Sequence, residues 1–368
     1  LILAENCDTS TLLEGLELRF AGSLELRNDS ILQDCVNDHF SLSKPCAGSA
    51  INIWNTDSTK LAGLKLRRVM VLGNQVVGRG TVVVNGTLGP LAIIAEECTF
   101  SNSSYNGEPS LVIEGKVPIV RFLRCNLSYN SSRSYGVYGS ALYAYISEDN
   151  FKENIFCLDS CLFTFNGGLE SGPPVYILSS NTNLDIGIEG CIFSLNSVAG
   201  PFNETTQGGA LLLWALCKSA IINRCNFIGN TGGWGGALAF GVKPSNGPAI
   251  ISNCTFEGNY SFGNGGAIYF IGGSSVKLVN CNFINNSTAG TGSCFYGYGF
   301  LPSEVIVENC IFHKNSSSRN IFAASQLNPL NLKIDHSLLP DTAKEKLYEF
   351  FGTEKPVFHI GPRNLYGL

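Results

Sequence analysis

Charged residues make up only 14% of the 368-residue chain, against about 25% in an average soluble domain. That scarcity argues against a disordered tail or a charged coiled coil. Positive charge is the scarcer sign, with 24 Lys and Arg against 29 Asp and Glu and a net charge of −5. Without a basic surface to neutralise phosphates, nucleic acid is disfavoured as a partner. Long apolar runs are missing as well: the longest, residues 210–222, is interrupted by Lys218 and is too short for a bilayer. No membrane span is expected. Met occurs once, and the four histidines, His39, His313, His336 and His359, stand far apart. No Cys-x-x-Cys pair accompanies them, so neither a zinc site nor a cofactor is expected.

What the chain has in excess is glycine, 41 residues, together with 23 Phe and 13 Tyr. These are turn formers and strand formers. It also has fourteen cysteines, and eight of them are periodic. Cys98, Cys125, Cys161, Cys191, Cys225, Cys254, Cys281 and Cys310 follow one another at intervals of 27, 36, 30, 34, 29, 27 and 29 residues. Two residues after each stands Phe, or Leu127 in the second copy, and five residues after stands Asn130, Asn166, Asn196, Asn230, Asn259, Asn286 or Asn315; the first copy has Ser103 there. Three and five residues before each Cys the side chains are apolar, as in Ile186 and Ile188 or Val276 and Leu278.

Side chains alternate faces along a strand, so the apolar pair and the Cys-x-Phe pair predict two short strands facing inward. The odd offset between them predicts a bend just before Cys, where Gly190, Asn253, Asn280 and Asn309 stand. Gly and Asn accept the left-handed backbone such a bend needs. A third strand is predicted after Gly139-Ser-Ala141, Gly208-Gly-Ala210, Gly235-Gly-Ala237, Gly265-Gly-Ala267 and Gly292-Ser-Cys294. Units of about 29 residues that bury their apolar faces only on their neighbours are solenoid repeats. Leucine-rich repeats do not fit, because Leu is not the periodic residue, and propeller blades are longer. The expected fold is all-β, a right-handed single-stranded parallel β-helix. It would have about eleven rungs, on the order of 50 Å at ~4.8 Å per rung.

Residues 98–319 carry the regular repeats. Residues 1–97 are expected to form an N-terminal cap and degenerate rungs, with strand-like runs around Leu18, Ile53 and Val83 and with Cys35 as a possible ninth column member. In 320–368 a helix is predicted from Asp341 to Phe351, then a strand or extended tail through residues 356–360. That segment either caps the last rung or docks on another subunit.

Asn-x-Ser/Thr sequons begin at Asn28, Asn85, Asn102, Asn126, Asn130, Asn203, Asn253, Asn259, Asn285, Asn286 and Asn315. Eleven is about twice the chance number. Either turns concentrate these residue types, or the chain is a secreted protein carrying N-linked glycans. It begins at Leu1 rather than Met, as expected of a processed chain. Adjacent column cysteines would be spaced for disulfides, but parallel side chains suit stacked buried thiols equally well. Cys7, Cys46, Cys157, Cys217 and Cys294, off the column, are the better disulfide candidates.

The Phe-x-x-Asn motif at Phe163, Phe193, Phe227, Phe256, Phe283 and Phe312, with Gly-Gly-Ala-Leu or Gly-Gly-Ala-Ile at Gly208, Gly235 and Gly265, resembles the repeats of chlamydial polymorphic outer membrane proteins. The resemblance covers roughly residues 98–320 and implies an extracellular surface β-helix used in adhesion or display. No translocator barrel is expected, and the sequons and extra cysteines resemble those of a secreted eukaryotic relative.

Parallel β-helices also carry polysaccharide lyases and hydrolases, which need paired carboxylates. No Asp or Glu recurs at one repeat position, and Asn55-Thr-Asp57 lacks the companion elements of a polygalacturonase and reads as a turn. The expected function is non-enzymatic: an extracellular structural glycoprotein assembling head to tail with itself into a filament or coat. A monomeric adhesin is the alternative. A glycan-binding role needs a row of exposed aromatics, for which Trp234 and Tyr260 are the candidates.

Overall fold

The computed structural model describes residues 2–5, 12–14 and 17–19 and, between 51 and 366, all but 56–57, 74, 77–79, 106–108, 133–138, 148–150, 170–171, 200–206, 272, 299–302, 318–319, 325–329, 340–347 and 351–357. Among the described residues every regular element is a β-strand and every strand pair is parallel. One coil shows how the chain winds. It passes through Ser219–Asn223, Asn226–Ile228, Thr231–Gly232 and Leu238–Pro244. Each of these pairs with its counterpart in the next coil: Ala249–Ser252, Thr255–Glu257, Tyr260–Ser261 and Ile268–Ile271. We call the four resulting stacks sheets I to IV in that order. Sheets I and IV hold twelve strands each, sheet III nine, and sheet II is divided into parts of eight and three. The fold is an all-β parallel solenoid.

Two expectations change at this level. The count of eleven rungs is not the number found, since two sheets carry twelve strands while the continuous part of sheet II carries eight. Three strands per unit become four, because sheet III was not anticipated. Its strands follow the repeat Asn directly and are short and mostly small or polar, such as Ser131–Ser132 and Ser287–Thr288. Two such residues offer no alternation to read, and only the coils above and below make them strands.

The corners follow from backbone sterics. Gly190, Asn253, Asn280 and Asn309 have φ of 60°, 54°, 55° and 54°, the left-handed bend expected before Cys. Glu97, Arg124, Ser160 and Arg224 take the same conformation. A second left-handed corner precedes the repeat Asn, or Ser103 in the first copy, at Asn102, Tyr129, Phe165, Leu195, Gly229, Gly258, Asn285 and Lys314. A third, at Gly208, Gly235, Gly265 and Gly292, opens sheet IV. The glycine that follows is fixed by crowding: a Cβ on Gly209 would strike the carbonyl oxygen of Gly236 in the next coil.

The outer segments continue the same sheets. Glu17–Arg19, Ile51–Trp54 and Val82–Gly86 are strands, in sheets II, IV and IV. At the other end no helix is found among the described residues. Residues 340–347 lie outside the described residues, and Tyr348–Phe350 is a strand paired with Phe322–Ala324. Its pattern is amphipathic at helical spacing, but strand pairing satisfies the open edge of the preceding coil. Phe358–Ile360 pairs with Leu332–Ile334, as the extended reading required.

The interior is one continuous apolar column. Ile186, Ile188, Val276 and Leu278 are buried as the repeat predicts. Phe163, Phe193, Phe227, Phe256, Phe283 and Phe312 stack with centroids 4.8–5.1 Å apart and planes within 6° of parallel. Phe227→Ala, in the middle of that stack, is expected to lower stability by about 3–5 kcal/mol through the cavity it leaves. Denaturant unfolding of the purified variant measures this, and a change below about 1 kcal/mol would refute close packing of the stack.

Candidate functional site

The most ordered polar feature is the asparagine ladder at the entry to sheet III. Asn196 lies in the interior because its left-handed predecessor Leu195 turns the chain inward there. Its Nδ2 donates to the Phe163 carbonyl of the preceding coil at 2.9 Å and to Asn230 Oδ1 of the following coil at 2.9 Å. The Asn196 backbone N–H donates to the same Oδ1 at 3.1 Å. The pattern repeats at Asn130, Asn166, Asn230, Asn259 and Asn286, with distances of 2.7–3.1 Å. At Asn166, Asn196, Asn230, Asn259 and Asn286 both amide hydrogens and both oxygen lone pairs are therefore used, while Asn130 Oδ1 accepts from the Ser103 N–H at 3.4 Å. Asn315 closes the series: its Oδ1 accepts the two Asn286 bonds, and its Nδ2 donates once, to the Phe283 carbonyl.

The eight column cysteines are buried free thiols. Each Sγ lies within hydrogen-bond reach of the carbonyl two residues earlier, as Cys191 does with Glu189 at 3.3 Å and Cys254 with Ser252 at 3.1 Å. The neighbouring Cys161 thiol and burial together push the Cys125 thiol up to about 12, against the opposing bond to Cys98. Val69 precedes Cys98 in the column and Ser337 follows Cys310, its Oγ accepting the Cys310 N–H at 3.1 Å. The position therefore asks for a small inward side chain, and thiol chemistry is not required of it. Cys7, Cys35 and Cys46 lie outside the described residues.

The disulfides expected at Cys157, Cys217 and Cys294 are not formed; all three are free thiols. Cys217 sits at the end of Leu211–Cys217, opposite Pro244, and Cys157 lies on the half-exposed side of sheet I opposite Arg121 and Gly187. Strand register gives neither a cysteine partner across the ladder, and Cys294 bonds through its backbone to Ile268 and Ile321. Burial, then the Asp185 carboxylate, pushes the Cys217 thiol up to about 12.

The sequons fall into distinct settings. Asn28 and Asn203 lie outside the described residues. Asn130, Asn259 and Asn286 are buried ladder members, whereas Asn102, Asn253 and Asn285 are exposed corners. Asn85 and Asn126 are half-buried and accept the hydroxyls of their own sequons, Thr87 and Ser128. Asn55, the first residue of the isolated Asn-Thr-Asp echo, is a buried bracket that donates to the Lys60 and Pro90 carbonyls at 2.7 and 2.9 Å.

Trp234 and Tyr260 do not share a row. Trp234 packs on Tyr269, Tyr296 and Tyr298 at 5.2–6.3 Å, and Tyr260 lies in sheet III edge-on to Phe262. The exposed row is elsewhere, on the outer face of sheet IV. Tyr145, Leu178 and Trp214 are register partners on successive coils, and Ile271 pairs with Tyr298 farther along. Tyr145, Trp214 and Tyr298 are each at least 40% exposed. Alternation within Leu-Tyr-Ala-Tyr145 and Phe-Tyr-Gly-Tyr298 was the available sequence signal. A second apolar ridge, Tyr129, Phe165 and Leu195, runs along the left-handed corner, with the two rings stacked at 5.1 Å.

Asn230→Asp is expected to become less stable as pH rises from 4 to 7. A carboxyl in this buried position has its folded-state pKa raised above the unfolded ~3.9 by desolvation. The folded state then holds the extra proton, so stability is retained below the unfolded pKa and lost as pH rises through the folded one. Unfolding midpoints across that range test it, and a midpoint that climbs with pH would contradict a buried, saturated ladder. For the thiols, native labelling at pH 8 followed by peptide mapping is expected to modify Cys157 before any of the eight column cysteines, all of which react after denaturation.

No family model matches the chain, and neither the curated proteins nor the solved structures contain a match.

Proposed function

We propose that the chain is a non-enzymatic, extracellular structural glycoprotein whose β-helix assembles end to end into a surface filament or coat. We take the coil as right-handed, the hand of nearly all parallel crossovers. The observation that carries this reading is the translational regularity of the ladders. A coil that satisfies its neighbour's backbone, Asn amide and Phe ring satisfies any identical coil placed one rise further on. Among the described residues, Leu365–Tyr366 pairs on one side only, with Leu338–Leu339, and Leu365 is 71% exposed. Segment 320–368 is the proposed docking element, and unpaired strand edges are the chemical means of adding a second copy. The resemblance to chlamydial surface repeats agrees with an extracellular setting.

The exposed row Tyr145, Trp214 and Tyr298 favours a second reading, a monomeric adhesin that binds glycans on the outer face of sheet IV. Electron microscopy of concentrated protein separates the two. Twelve coils at ~4.8 Å give a rod of roughly 55–60 Å, and filaments several times that length are expected. Monodisperse single rods would overturn the filament reading, and single rods that bind immobilised polysaccharide through Trp214 would move the function to the adhesin.

A further inference from the structure

We infer that the folded solenoid sorts its sequons, admitting N-linked glycans at Asn85, Asn102 and Asn285 and shutting them out at Asn130, Asn259 and Asn286. The inference rests on the reading of the chain as a secreted glycoprotein. Its basis is a count of amide hydrogens. Glycan transfer from a lipid diphosphate-linked oligosaccharide forms a bond between Nδ2 and the sugar C1, breaks the bond from C1 to the phosphate oxygen, and releases one Nδ2 proton. A single N–H remains on the nitrogen.

The ladder positions use two. Asn130 Nδ2 donates to the Phe100 carbonyl and to Asn166 Oδ1, each at 3.0 Å. Asn259 Nδ2 donates to the Phe227 carbonyl and to Asn286 Oδ1, each at 2.9 Å. Asn286 Nδ2 donates to the Phe256 carbonyl at 2.8 Å and to Asn315 Oδ1 at 3.0 Å. A sugar on any of them deletes one bond and places a pyranose in a corner from which solvent is fully excluded. The hydroxyls of these sequons are buried too. Ser261 Oγ donates to the Gly233 carbonyl at 2.8 Å, Thr288 Oγ1 donates to the Gly263 carbonyl, and Ser132 is buried.

The open positions differ in their amide hydrogens and in their access to solvent. Among the described residues the Nδ2 of Asn85, Asn102 and Asn285 donates no hydrogen bond. Asn102 and Asn285 are exposed left-handed corners with φ of 57° and 54°. Asn85 Oδ1 accepts both the Thr87 N–H at 3.0 Å and the Thr87 hydroxyl at 2.6 Å, and Thr87 itself is exposed. Asn285 and Asn286 make the sharpest contrast, because they are adjacent residues that both begin sequons while only the first faces solvent. Asn253 and Asn315 each spend one hydrogen, and Asn126 has a buried sequon hydroxyl, so these three fall between the classes.

The test is secretion of the full chain from a eukaryotic host, followed by glycosidase treatment that converts each formerly glycosylated Asn to Asp, and peptide mapping. Conversion is expected at Asn85, Asn102 and Asn285 in the folded secreted protein, with none at Asn130, Asn259 or Asn286. Asn285→Gln is expected to lose the mass of one glycan without gaining one at Asn286. A sugar on any ladder Asn, a transfer to Asn286 in that variant, or no sugar at the three open positions would overturn the inference. The same mapping on material from the natural source addresses the underlying reading separately. Unmodified protein there overturns the secreted glycoprotein, whatever the expressed chain shows.

Discussion

Parallel backbone pairing sets a rise of about 4.8 Å between coils, and every side chain must tolerate a copy of itself at that distance. Few residues do so equally well. Aromatic rings at 4.8 Å with parallel planes stack with an offset, as Phe193, Phe227 and Phe256 do. Asn bonds its own copy because a primary amide is donor and acceptor at opposite ends, so Asn196 and Asn230 chain without a mismatch. A charged column has no such solution, since like charges one rung apart repel. On the outside of the coil some opposite charges pair between neighbouring coils, as in Lys218 with Asp185 and Lys277 with Glu308, both at 2.8 Å, although Asp159 faces Glu189 and Glu308 faces Asp335 in register. Such exposed pairs add little stability each.

The corners carry a separate constraint. A left-handed backbone at every turn favours Gly or Asn, and Gly229, Gly258 and Asn285 satisfy it cheaply. Tyr129, Phe165 and Leu195 hold the same conformation with bulky side chains and remain about half exposed. Each costs about 1–2 kcal/mol relative to a permissive residue, and their exposure returns no burial. Stacking between the two rings offsets part of it. Polar saturation and apolar exposure thus lie side by side, since the ladder Asn following each of these corner residues is fully buried.

Much of this was legible in the residue pattern. The spacing of Cys, Phe and Asn marked the inward positions of sheets I and II, and Gly190 and Asn253 marked their corner. The remainder was hidden for physical reasons. Sheet III strands such as Thr231–Gly232 have too few residues to show a period. The corner at Phe165 was invisible because Phe is a poor choice for it. Around Tyr348 the sequence carries a helical period, and a neighbouring strand edge overrode it. The disulfide expectation for Cys157, Cys217 and Cys294 rested on their place off the repeat column, whereas pairing depends on which residue lies opposite in space. Trp234 and Tyr260 were singled out by type, yet packing against Tyr269 withdraws Trp234 from the surface and strand alternation exposes Trp214 instead.

The sequence by itself determined that this chain stacks on itself, because a recurring inward pattern of about 29 residues has no other way to bury its apolar face. It also determined the chemistry of the columns, since only certain residues bond or pack against their own copies. The tertiary structure decided everything that depends on neighbours in space: the number of sheets, the end of the chain as strand, the free state of the cysteines and the face that shows its aromatics. The same division runs through the sequons. A tripeptide is a local property, but whether its amide keeps a spare hydrogen depends on the coils above and below.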